Sequence, residues 1–244
     1  MQQRLPSLAD EPIAFAHRGA RAYAPENTLE AFALAVRLGA TGLESDVWLT
    51  ADGVAVLDHD GVVPRRWGRR RALADVLRDD LPPHIPTLAE VVRAHGSTCH
   101  LSFDLKDPAA GPEVVRTLLE HAPGSLERTW LCAPDIETLL ALRGSGVRLV
   151  DSTRLSRIGE GIERRAARLA AEGIDGLNLH HSDWSGGLVA LVHRFGVHAF
   201  GWDLQEPHIL ERGLRMGLDA VYSDRPDVMM DVYRDQIGRP TRPD

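Results

Sequence analysis

The chain has 244 residues, 43% of them hydrophobic, and a formal net charge of −7 at pH 7, enough apolar material for a substantial core. The acidic balance, with no long block of one sign, argues against bulk binding to nucleic acid or to an anionic membrane. No stretch approaches the ~18 apolar residues of a membrane span, residues 1–11 lack the apolar run of a signal peptide, and Cys99 and Cys132, without CxxC spacing, suggest neither a disulfide framework nor a thiolate metal site. A soluble cytoplasmic protein is the expectation, and its oligomeric state is left open.

Short β-rich runs alternate with amphipathic helical segments along the chain. The strand candidates are IAFAH (13–17), GLESDV (42–47), VAVLD (54–58), HLSFDL (100–105), TWLC (129–132), VRLV (147–150), GLNL (176–179), VHAFG (197–201) and AVYS (220–223). Between them lie helical patterns such as NTLEAFALAVRLG, with Asn27 or Thr28 as N-cap and Gly39 as the stop, followed by TLAEVVRAHG, EVVRTLLEHA, GIERRAARLAAEG and HILERGLRMG. Strand-then-helix repetition at this length predicts an α/β fold, a closed TIM (β/α)8 barrel, without an internal linker and with a loose tail over 238–244. The gap between 42–47 and 54–58 is too short for a parallel crossover, so these two runs are expected to form an antiparallel hairpin, about 42–59, on the active-site side.

A hairpin turn centred on Ala51 and Asp52 would oppose Glu44 to His59 and Asp46 to Leu57, placing Glu44, Asp46 and His59 on one face. Two carboxylates sharing a partly buried face repel unless one is protonated or a cation lies between them, and oxygen ligands suit a hard divalent ion, Mg²⁺ or Ca²⁺. AFAHRGA brings His17 and Arg18 to the C-terminal end of the first strand; LSFDLKD brings Asp104 and Lys106 to the end of another. Of the 28 basic side chains only Lys106 is a lysine, which singles it out as a place where a compact ammonium could be needed. Since barrel chemistry sits at the C-terminal rim, three acids, two cations and two imidazoles collected there suit a phosphate ester. His180 and His181 are adjacent on a strand and should point to opposite faces, which weakens a metal reading for them. No HxH pair occurs, against a barrel with a histidine-bound metal.

The order HRG, PENT, ExD, DG, HD within residues 16–60 closely resembles the opening of the glycerophosphodiester phosphodiesterases, and FDLK, GWDL and GLDAVYSDRPD resemble later blocks of that family over a core of about 12–232. The resemblance implies a single domain of this type over 1–244, a divalent cation on Glu44, Asp46 and Asp104, an acid/base pair of His17 and His59, phosphate contacts from Arg18 and Lys106, and Trp202 against the glycerol. It implies hydrolysis of a small-molecule glycerophosphodiester to sn-glycerol 3-phosphate and an alcohol, without nucleic-acid partners or stable membrane insertion. A lysophospholipase D-like enzyme and a non-catalytic phosphodiester-binding barrel are the alternatives. Asp104 stands where many relatives carry Glu, WDLQ (202–205) replaces WTxN, and the short segment after His59, including the basic run 65–71, suggests a minimal cap.

Overall fold

A computed structural model describes residues 4–64 and 70–240. The tail residues 241–244 and most of the basic run 65–71 lie outside the described residues. The chain forms β1 (Ile13–Ala16), α1 (Leu29–Arg37), β2 (Gly42–Leu49), β3 (Ala55–Leu57), β4 (Val62–Pro64), β5 (Arg70–Ala72), α2 (Leu88–His95), β6 (His100–Leu105), α3 (Ala110–His121), β7 (Thr129–Ala133) and α4 (Ile136–Leu140). It continues with β8 (Arg148–Ser152), α5 (Ile162–Glu172), β9 (Gly176–His180), α6 (Gly186–His193), β10 (His198–Trp202), α7 (Pro207–Arg215), β11 (Ala220–Ser223) and α8 (Pro226–Gln236).

The strand order β1-β11-β10-β9-β8-β7-β6-β2, closed by pairing of β2 back onto β1, makes an eight-stranded parallel barrel with helices between its strands. Strands buried on both faces need continuous apolar runs, and IAFA and TWLCA meet that need with every residue buried. Phe15, Trp130, Phe200 and Tyr222 fill the barrel interior, while α1, α2, α3 and α8 press residues such as Phe32, Val91, Leu118 and Met230 onto the outside of the sheet. Thr28, of the two candidate caps, starts α1 by accepting from the Ala31 amide, and Thr87 with Glu90 forms a capping box on α2.

The β2–β3 hairpin forms, but its register differs from the expected one. Val47 faces Leu57 and Leu49 faces Ala55, because the turn has three residues: the Thr50 amide donates to Val54 O at 3.0 Å and Gly53 takes φ +77°. Asp46 therefore lies level with Asp58, whose amide donates to Asp46 O at 3.1 Å. The strand ends at Leu57, and the Gly61 amide closes a tight turn on the Asp58 carboxylate at 2.8 Å. His59 sits in that turn and reaches the site from there, not from the strand face. The segment beyond it folds into a small antiparallel ribbon, β4 with β5, which the sequence reading did not anticipate.

Candidate active site

A cavity of about 510 Å³ opens at the C-terminal ends of the strands, and its walls include all eight side chains singled out from sequence: His17, Arg18, Glu44, Asp46, His59, Asp104, Lys106 and Trp202. The parallel register of β2 with β6 aligns Asp46 with Asp104 and Glu44 with Ser102, so alternation along β2 turns both acids into the barrel mouth. Glu44 and Asp46 are 6% and 1% exposed. Burial, helped by the charges of Asp46 and Asp104 and opposed by His17, pushes the Glu44 carboxyl up to about 7. Below them the floor is uncharged: Ser102 bonds to Tyr222 at 3.0 Å, and burial drives the Cys132 and Tyr222 ionisations well upward.

His17 is held from two sides. Its Nδ1 donates to Asp224 Oδ1 at 2.6 Å, and its Nε2 lies 3.8 Å from Glu44 Oε2. Burial alone would lower its proton affinity, but the Glu44 charge and the Asp224 hydrogen bond outweigh that, and the net shift is upward. Asp224 is itself placed by Gln205, whose Oε1 accepts from the Asp224 amide at 2.9 Å and from the Ser223 hydroxyl at 3.1 Å. Gln205 thus braces β11. Sequence reasoning gave Asp224 no role, although its place in SDRPD, at the end of the last strand, was a usable signal.

Arg18 adopts a left-handed backbone, φ +53°, an uncommon conformation for a side-chain-bearing residue. It lets the Arg18 amide donate to Glu44 Oε2 at 2.9 Å while the guanidinium lies 3.2 Å from both Asp46 and Glu26. Glu26, in the PENT block, also takes Arg21 at 3.1 Å, so it braces the site while Thr28 caps the helix. Asn27, φ +56°, is a further residue the sequence reading left without a site role: it accepts from Ser45 Oγ at 2.7 Å and donates to Asp46 Oδ2 at 3.4 Å. Lys106 Nζ bridges Asp104 at 2.6 Å and Asp46 at 3.1 Å, and these two charges raise its proton affinity against the effect of burial.

The opposite wall has another character. Ser152, Thr153, Arg154, Arg157 and Asn178 border it beside Trp202. The Arg154 guanidinium lies 5.6 Å from the Trp202 ring centre and is fixed by Asp183 at 2.7 Å, while His180 meets the same indole edge-on at 4.5 Å. His180 and His181 do not splay apart as strand alternation predicted, because His181 begins a 3₁₀ turn and the rings come within 4.3 Å. With Asp203 they form the group, among the described residues, whose possible ligand atoms all fall within 4.8 Å. That group is already committed: His180 bonds to Ser182 and Asp203, and Arg212 approaches His181 Nδ1 at 3.2 Å. The acids of the main cavity are engaged by Arg18 and Lys106.

Carboxylates, imidazoles and fixed cations converge at the C-terminal rim of this TIM barrel, the face where such barrels carry their active sites, and suit an anionic phosphate ester. The family model for the "Glycerophosphoryl diester phosphodiesterase family" matches residues 17–121. A "Glycerophosphodiester phosphodiesterase" of Caldanaerobacter subterraneus is 26% identical over 242 residues, covering 91% of this chain and 98% of that one. "Glycerophosphodiester phosphodiesterase 1" of Rattus norvegicus is 31% identical over 180 residues, covering 64% of this chain and 54% of that one. The chain spans about half the length of the mammalian relatives it matches. Among solved structures, a glycerophosphodiester phosphodiesterase of Thermotoga maritima superposes with a TM-score of 0.77 at 25% identity, covering 92% of this chain and 98% of that one. An Oleispira antarctica phosphodiesterase in complex with the product sn-glycerol-3-phosphate shares the fold with a TM-score of 0.77 at 23% identity, over 91% of this chain and 96% of that one. The family match, the curated relatives and the solved structures all support the glycerophosphoryl diester phosphodiesterase family for this chain. No helix among the described residues is long and apolar enough to cross a membrane.

Proposed function

We propose that this chain hydrolyses glycerophosphodiesters to sn-glycerol 3-phosphate and an alcohol. The observation that carries the reading is His17, gripped between Asp224 at 2.6 Å and Glu44 at 3.8 Å in the cavity that His59 also lines. In this reading one of the two imidazoles takes the proton of the attacking hydroxyl. The other delivers a proton to the alkoxide as its bond to phosphorus breaks. Arg18 and Lys106 hold the non-bridging oxygens, and Trp202 borders the glycerol. The Asp224 carboxylate fixes the tautomer and orientation of His17, and Gln205 and Arg21 fix Asp224.

The donor set fits a hard divalent cation. Glu44, Asp46 and Asp104 supply only oxygen to one cavity, and Glu44 and Asp46 are deeply buried, where neighbouring carboxylates call for a compensating cation. These three acids would hold Mg²⁺ or Ca²⁺, which when bound would neutralise charge on the phosphoryl oxygens. Asp104, one methylene shorter than Glu, lies 2.6 Å from the Lys106 ammonium, which keeps that cation at the edge of the acid cluster. The reading places the chain's function in one domain acting on a small molecule in the cytoplasm.

The test is a panel of glycerophosphodiesters and lysophospholipids, run with Mg²⁺, with Ca²⁺ and after exhaustive chelation, with the bond broken identified from the products. Release of sn-glycerol 3-phosphate that stops on chelation supports the reading. Cleavage of lysophospholipids alone points to the lysophospholipase D-like alternative, and binding without turnover points to a phosphodiester-binding barrel.

A further inference from the structure

The cavity is electrostatically two-sided. Its lining carboxylates, Glu44, Asp46 and Asp104, all belong to β2 and β6, and across from them the wall after β8 presents Arg154 and Arg157. We propose that this wall is a subsite for an anionic group, a carboxylate or a second phosphate, on the alcohol that leaves the glycerophosphodiester. The proposal rests on the phosphodiesterase reading above and adds the charge of the alcohol.

Three features carry it. Arg154 caps the 3₁₀ turn Leu155–Arg157 in an extended conformation, and Arg157 ends it. Both side chains line the cavity. Arg154 is preorganised, with Nε and Nη2 on the two oxygens of Asp183 at 2.7 and 3.2 Å and its plane near the Trp202 ring, so orienting it costs little on binding. The exposed Arg157 guanidinium has no side-chain partner among the described residues, which leaves its fork open to an oxyanion.

The same wall is poorly suited to a cationic alcohol. An ammonium head needs a carboxylate or an open aromatic face. Among the described residues no acid lines this side of the cavity, Asp183 is consumed by Arg154, and Trp202, which borders the glycerol in the reading above, already carries the Arg154 cation beside its ring. A choline or ethanolamine ester would bring its positive charge up to two guanidiniums. A phosphorylated or carboxylated alcohol would meet complementary charge there. Hydrolysis then proceeds as for any diester: water adds across the phosphorus–alcohol bond, and sn-glycerol 3-phosphate and the anionic alcohol depart.

The experiment compares kcat/KM for glycerophosphoglycerol, for the same diester phosphorylated on its far hydroxyl, and for glycerophosphocholine. The phosphorylated substrate should exceed the neutral one by about tenfold at low salt, with choline slowest and the preference shrinking as salt rises. Arg157→Gln should lower the phosphorylated-to-neutral ratio by about tenfold. Choline turned over as well as the phosphorylated substrate, or a ratio unmoved by Arg157→Gln, would overturn the proposal. If nothing is turned over, the phosphodiesterase reading falls. Calorimetric binding of the neutral and phosphorylated compounds to wild type and Arg157→Gln then decides the subsite alone: a tighter phosphorylated ligand that loses its advantage in the variant supports it, and equal affinities refute it.

Discussion

His17 donates through Nδ1 to Asp224 Oδ1 at 2.6 Å, joining the end of the first barrel strand to the end of the last, 207 residues away. A bond of that length to a carboxylate fixes the ring's tautomer and leaves Nε2 pointing at Glu44. Asp224→Asn keeps the shape and removes the charge. Turnover should fall on the order of a hundredfold, with KM little changed. The limb of the pH–rate profile set by His17 should move to lower pH, because Asp224 is one of the groups holding that imidazole's proton affinity up. A variant with wild-type turnover and an unmoved profile would show that Asp224 only braces the fold.

Much of this site could be read from the chain because strand periodicity is strict. ExD on β2 and FDLK on β6 had to place Asp46 and Asp104 on the inner rim once the strands were parallel, and their register makes them neighbours. What could not be read was turn geometry. One extra residue between Thr50 and Val54 slid the hairpin by one position, which by periodicity alone would have sent His59 to the other face. The Asp58–Gly61 turn brings it back, a relationship that depends on one hydrogen bond and one positive φ. The closeness of His180 and His181 escaped for the same reason, since alternation ends where the 3₁₀ turn begins. The partners of Asp224 and Asn27 were invisible because they join segments distant in sequence.

Gly61 tests that turn. It sits at φ +67°, and a Cβ there would come within 2.5 Å of the Trp48 indole. Gly61→Ala is strained twice over, by backbone and by contact, and should cost about 1–3 kcal/mol of stability. Because His59 lies two residues earlier in the same turn, kcat should fall further than the loss of folded protein explains. Urea unfolding and turnover on matched amounts of folded enzyme separate the two effects. Full activity per folded molecule would mean that His59 is placed by something other than this turn.

Lys106 bridges Asp104 and Asp46 at 2.6 and 3.1 Å, and the Asp46 side chain is almost wholly buried. Without the ammonium, one of the two cations flanking that carboxylate is gone. In chelator, Lys106→Gln should therefore lose about 2 kcal/mol, seen as a melting midpoint about 5 °C below wild type. Millimolar Mg²⁺ or Ca²⁺ should close the gap, since a cation held by Glu44, Asp46 and Asp104 would replace the missing charge. Thermal unfolding with and without each ion provides the measurement. A deficit that neither ion narrows would count against those three acids as ligands.

The other mouth of the barrel supplies a pH dependence unconnected with catalysis. His100, at the start of β6, borders a separate cavity of about 490 Å³ together with Trp130, His198 and Tyr233. Burial, with a smaller contribution from the nearby Arg128 charge, lowers its imidazole to about 4, and its Nδ1 has no hydrogen-bond partner among the described residues. The unfolded chain, with a histidine of about 6.5, takes up this proton before the folded one does. Stability from this group is therefore complete above pH 6.5 and declines as the pH falls toward the folded value of about 4. The loss over that range should reach about 2–3 kcal/mol. Other groups titrate in the same window, and Asp151, pushed up to about 6 by burial, opposes the trend. The informative quantity is thus the difference between wild type and His100→Asn, in which shared contributions cancel. Urea unfolding at pH 7 and pH 4.5 should show the variant gaining relative stability in acid, and parallel behaviour at both pH values would mean that His100 is protonated as readily in the folded barrel as in the open chain.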